Sequence, residues 1–120
     1  MTGGGWITST PSGAKGNFGV AGGIRKGHLW GHLEYIDHGT GMKVKGTGVT
    51  AYVPTGRTSR HIEGNADIDG ESGMYMVDVS DEGEPGSHDV FRIELSNGYV
   101  AGDTGTLDGG NIQLHKACPF

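Results

Sequence analysis

The stretch Gly31-His32-Leu33-Glu34-Tyr35-Ile36-Asp37-His38-Gly39-Thr40-Gly41 is the longest run without a breaker in a glycine-rich chain. Strand side chains alternate between faces, so Leu33 and Tyr35 share one face and His32, Glu34 and Ile36 the other. A glycine-rich turn follows. The stretch holds two of the six histidines, two carboxylates and a tyrosine. Its polar face is therefore either a site or a solvated surface.

Outward from this stretch, the same alternation recurs between turn dipeptides, while helix periodicity is nearly absent and glycine interrupts each candidate helix. Trp6-Ile7-Thr8 opens a first strand, closed by Thr10-Pro11-Ser12-Gly13. A second runs from about Asn17 to Ile24, and Arg25-Lys26-Gly27 turns the chain into the third, His28 to His38. The fourth spans Met42 to Val53, ending at the turn Pro54-Thr55-Gly56-Arg57. The fifth, Arg60 to Ile68, places Ile62, Ala66 and Ile68 on one face and His61, Glu63, Asn65 and Asp67 on the other. Asp69-Gly70 signals a tight hairpin into the sixth, Met74 to Val79. Asp81 to Asp89 reads as an acidic loop. Val90 to Leu95 is the seventh, with Phe91, Ile93 and Leu95 inward, and Asn97-Gly98 marks another hairpin. Tyr99 to Leu107 and Ile112 to His115 complete the sheet, with Asp108-Gly109-Gly110 between them.

This pattern predicts one all-β domain over residues 1–120: an antiparallel meander of eight to nine strands, barrel-like, with a two-sheet β-sandwich as the alternative. A meander must manage its edges, and closure does so. Glycine inside strands suits sharp bends at barrel corners. Twenty-five glycines, against a usual share of about 7%, could mark low complexity. No repeat period appears, however, and aromatic and branched residues are spread throughout, which argues against disorder.

The formal charge is −5, which gives no footprint for nucleic acid or an anionic membrane. Only Arg25-Lys26 and Lys43-Val44-Lys45 are locally basic. No transmembrane segment or signal peptide is legible. The lone Cys118 makes no disulfide framework within the chain. Met1 running straight into Thr2-Gly3-Gly4-Gly5 suggests a domain excised from a longer protein.

Several strings occur together: Thr2-Gly3-Gly4-Gly5-Trp6-Ile7, Gly31-His32-Leu33-Glu34-Tyr35-Ile36-Asp37-His38 and Asp81-Glu82-Gly83-Glu84-Pro85-Gly86-Ser87-His88-Asp89-Val90-Phe91. Leu95-Ser96-Asn97-Gly98-Tyr99 and Gly109-Gly110-Asn111-Ile112-Gln113-Leu114-His115 follow. In this order they resemble the glycine-rich all-β domain that follows the choice-of-anchor P domain in bacterial surface and secreted proteins. The likeness covers Thr2 to Lys116. It departs from the family after Tyr99, where Val100 to Leu107 carries a longer Gly-Asp-Thr-Gly segment. The resemblance implies an extracellular or cell-surface accessory module for adhesion, display or assembly, and it carries no catalytic residues.

Read for chemistry, the strongest metal candidate is His32 and Glu34 with His61 and Glu63. The pattern repeats on two strands, and if those strands are neighbours the four groups could hold Zn²⁺. His28 and His32 on one strand would lie about 13 Å apart, too far for one ion. Asp78, Asp81, Glu82, Glu84 and Asp89 offer an oxygen-rich Ca²⁺ loop without the ligand order of an EF-hand. Asp37 and His38, with Glu34, are the nearest approach to an acid–base pair, in a chain read as more a binding module than an enzyme. Trp30 and Tyr35 are candidate sugar-stacking rings, although core filling is the commoner use of aromatics. Expected partners are other surface proteins or glycans. Edge strands at Met1–Trp6 or Ile112–Phe120 offer a route to homo-oligomers.

Overall fold

A computed structural model describes residues 1–81, 89–102 and 107–113. It is all-β among these residues. The strands are β1 (Thr2–Ile7), β2 (Gly16–Arg25), β3 (His28–Asp37), β4 (Lys43–Pro54), β5 (Ser59–Ile68), β6 (Glu71–Ser80), β7 (Val90–Leu95), β8 (Val100–Ala101) and β9 (Gly109–Gln113). They form one strongly curled antiparallel sheet in the order β8-β7-β6-β5-β4-β3-β2-β1-β9, a half-barrel. The sandwich alternative is not formed.

Local chemistry accounts for the hairpins. Lys26 and Gly27 (φ 51° and 78°) join β2 to β3, and Asp69 and Gly70 (φ 52° and 90°) join β5 to β6. Positive φ at both central residues is the two-residue turn whose twist matches the flanking strands. At the β7–β8 turn, Gly98 has φ 94° and donates to the Leu95 carbonyl.

The curl comes from β4. Its pairing with β5 shifts register between Gly46 and Gly48 and again between Val49 and Ala51. Its ladder with β3 is confined to Lys43–Lys45 opposite Glu34–Ile36. Bulges bend a strand and raise its twist, so the sheet folds back on itself and brings β2 over β7. The rings of Phe18 and Phe91 stack there, 3.9 Å apart and 5° from parallel. Around them the inward residues Val20, Leu33, Tyr35, Val44, Ile62, Tyr75, Val77 and Ile93 form one buried core. Each large apolar side chain so buried contributes about 1.5–3 kcal/mol.

The sequence reading errs at the two ends. β1 begins at Thr2 rather than Trp6, and Gly109-Gly110 is not a turn but the start of β9, opposite Trp6 and Gly5. The Trp6 indole lies where a side chain on residue 109 would be, and the β1 backbone crowds the same space at residue 110. These glycines permit close strand approach. Among the described residues β8 is two residues long and stops before Gly102; residues 103–106 of the strand expected from Tyr99 to Leu107 lie outside them, and β9 pairs with β1. Buried Asp89 ties the two ends together: its Oδ2 accepts from the Ile112 amide at 2.8 Å, and its carbonyl accepts from Leu107 at 2.9 Å.

Candidate functional site

The inward face of the half-barrel is core, so the exposed polar side chains lie on the convex face. Glu34 and Ile36 of β3, Lys43 and Lys45 of β4, and Asp67 and Asp69 line an open cleft of about 510 Å³ there. Register places Glu34 opposite Lys45, and Lys45 opposite Asp67. The β5–β6 turn shapes one wall. Asp67 Oδ1 accepts from the Gly70 amide at 2.6 Å, and Asp69 Oδ1 accepts from the Lys43 amide at 2.9 Å. Among the described residues, no ion pair joins Lys43 or Lys45 to these carboxylates. Their ammonium groups face solvent above apolar stems, as long cationic side chains do. The cleft thus offers unpaired charges of both signs in a volume typical of ligand sites, roughly 300–1,000 Å³.

The four residues proposed for zinc do not meet. β4 lies between β3 and β5. Glu34 aligns through Lys45 with Asp67, which puts Glu63 two strand spacings away, about 10 Å, and four residues along, about 13 Å. The neighbouring-strand condition for that set is therefore unmet. Instead, His61 is clamped: Nδ1 lies 2.7 Å from Asp78 Oδ1, and Nε2 lies 2.8 Å from Glu63 Oε2. Ring nitrogens point in opposite directions, so these carboxylates cannot converge with the imidazole on one ion. Among the described residues no group of three or more His, Cys, Asp or Glu is placed to hold a metal. Partial burial lowers the basicity of His61, but the hydrogen bonds and charges of Asp78 and Glu63 outweigh it and raise the imidazole above its usual 6.5. Arg92 extends the network across β7 to Glu94 at 3.2 Å and Asp78 at 3.9 Å.

Of the calcium set, Glu82 and Glu84 lie outside the described residues. Asp78 faces outward on β6 toward His61, the Asp81 amide donates to Thr58, and Asp89 is turned inward and buried. Asp78 and Asp89 thus sit on opposite faces of the sheet.

Tyr35 is wholly buried and cannot stack on a ligand. Trp30 is half-buried, with the Arg25 guanidinium 5.0 Å from its ring centre. Asp37 and His38 do not pair. Asp37 is buried, accepting from the Gly39 amide at 2.7 Å and the Tyr99 hydroxyl at 2.6 Å, whereas exposed His38 meets Asn17 at 2.9 Å. The Tyr35–Tyr99–Asp37 network went unseen in the sequence because 62 residues separate Asp37 from Tyr99. The Lys43 and Lys45 cleft was also missed, although their alternation along one strand was a usable signal.

Comparison of the chain with family models, curated proteins and solved structures returns no match.

Proposed function

We propose that this chain is a non-catalytic accessory β domain of a bacterial surface or secreted protein, serving adhesion, display or assembly through its convex face. The observation that supports this most is the Glu34–Lys45–Asp67 row: charges brought into register over a cleft, with no ion pair among them in the described residues. The likeness of the chain to an extracellular glycine-rich domain agrees with it. By contrast, two of the groups first suspected of catalysis or metal binding are engaged in structural bonds: Asp37 with Tyr99, and His61 with Asp78 and Glu63.

The test is interferometry with the immobilised domain against purified bacterial surface polysaccharides and extracellular proteins. The Lys43→Ala/Lys45→Ala variant serves as comparison. Binding that falls about tenfold in the variant, the scale of one or two lost charged contacts, is the expected result. Binders indifferent to the variant would contradict the site. Turnover of an ester, glycoside or peptide substrate, abolished by His38→Ala, would contradict the non-catalytic reading.

A further inference from the structure

The charge of the chain is segregated along its length. Residues 1–33 contain Lys15, Arg25 and Lys26 and no acid, so all 14 carboxylates lie in the remainder, against six lysines and arginines. The fold converts this into two opposed hairpins. The β2–β3 tip carries Arg25 and Lys26 beside the cross-strand pair Ile24 and Leu29, which are 48% and 42% exposed although both lie in register with the core face. The β5–β6 tip carries Asp67, Asp69 and Glu71, all exposed. In an antiparallel sheet, β2 ends where β4 ends and β5 begins. The two tips therefore project from opposite ends of the half-barrel, one basic and apolar, the other acidic and walling the cleft. A tip on one end cannot reach the cleft at the other end of its own sheet.

We propose that the β2–β3 hairpin tip of one copy docks in the β3–β4–β5 cleft of a second copy, joining chains head to tail. Arg25 and Lys26 meet Asp67, Asp69 and Glu34. Asp67 and Asp69 each use Oδ1 in the turn, leaving Oδ2 without a protein partner among the described residues. Ile24 and Leu29 cover Ile36 and the lysine stems. Because donor and acceptor surfaces differ, the contact is heterologous and does not close on itself in a dimer. Opposite charge steers the encounter and makes it salt-sensitive. The inference rests on the cleft of the proposed function and names its occupant.

Sedimentation velocity on the full chain, from micromolar to millimolar concentration, tests it. Growth past the dimer at low salt, with affinity falling about tenfold or more at high salt, is expected. Arg25→Ser/Lys26→Ser disables the tip, and Asp67→Asn/Asp69→Asn removes two of the cleft's carboxylates while keeping its turn acceptors. Each variant alone is expected to stay monomeric, and their mixture to stop at a one-to-one dimer. Wild-type protein that is monomeric throughout, a variant that still dimerises alone, or a mixture that stays monomeric would each overturn the proposal. So would co-sedimentation of the monomer with phosphatidylglycerol vesicles lost in Arg25→Ser/Lys26→Ser, which would give the tip to lipid. Monomers that still bind a ligand through Lys43 and Lys45 would refute this inference and leave the proposed function standing.

Discussion

Tyr99 donates its hydroxyl proton to Asp37 Oδ2 at 2.6 Å, which joins the β7–β8 turn to the end of β3 across the mouth of the half-barrel. The Tyr35 hydroxyl, 2.8 Å from that of Tyr99, must then be the donor in that pair. A buried carboxylate deprived of a hydrogen bond costs about 1–3 kcal/mol. Tyr99→Phe is therefore expected to lower the unfolding free energy by that amount, read as a lower urea midpoint at an unchanged m-value. Tyr75 is the contrast, because its buried hydroxyl has no partner among the described residues. Tyr75→Phe removes a desolvated polar group and is expected to be neutral or to stabilise by up to about 1 kcal/mol. Equal losses in the two variants would contradict the hydrogen-bond assignment.

The same tyrosines set an alkaline limit. Burial raises Tyr35, Tyr75 and Tyr99 above the usual 10; for Tyr99, the bonds to Asp37 and Tyr35 add to the rise. Tyrosine is neutral when protonated, and folding favours that form. The stabilisation is therefore complete below pH 10 and is lost as pH climbs from there through the folded-state values. Tyrosinate absorbance should show these three rings ionising together with unfolding. Smooth titration of all the tyrosines with the fold intact would be inconsistent with their burial.

His61 imposes a dependence of the same sign, but near neutrality. Its imidazole is raised above 6.5, so the clamp stabilises the fold fully below that pH and fades as pH rises through the folded-state value. A neutral ring has one N–H, and one of the two carboxylates loses its donor. The urea-midpoint advantage of wild type over His61→Asn should therefore be larger at pH 6 than at pH 9, conditions chosen to bracket the usual range of about 6.5. A constant difference would place His61 outside the clamp.

Two glycines separate packing from propensity. A Cβ at Gly64 would strike the Tyr75 ring and the Gly48 carbonyl, whereas one at Gly19 meets nothing within 4 Å. Gly64→Ala should cost about 1–3 kcal/mol through overpacking. Gly19→Ala should be neutral or stabilise by up to about 1 kcal/mol, through the less flexible unfolded chain. Thermal unfolding of the pair distinguishes them.

These contacts show how much was legible beforehand. Val90–Leu95 and the inward trio Phe91, Ile93 and Leu95 follow from alternation alone, and Asp69-Gly70 names its own turn. Such signals are local. The partner of β9 is not local, and Gly109-Gly110 carries the composition of a turn while serving close approach to β1. The convergence of His32 with His61 depended on whether β4 intervened, which no period in either strand reveals. Bulges at Gly46/Gly48 and Val49/Ala51 then set the curl, and with it the Phe18–Phe91 contact.

The central claim is that the β3–β4–β5 cleft of one copy takes the β2–β3 tip of another. Amide ¹H–¹⁵N spectra of the wild-type chain, recorded as its concentration is raised at low salt, test it most directly. Shifts at Glu34, Lys43, Lys45 and Asp67 to Gly70, matched by shifts at Arg25 to Leu29, are the expected result. Superimposable spectra at every concentration, or shifts confined to the β8 and β9 edges, would contradict it.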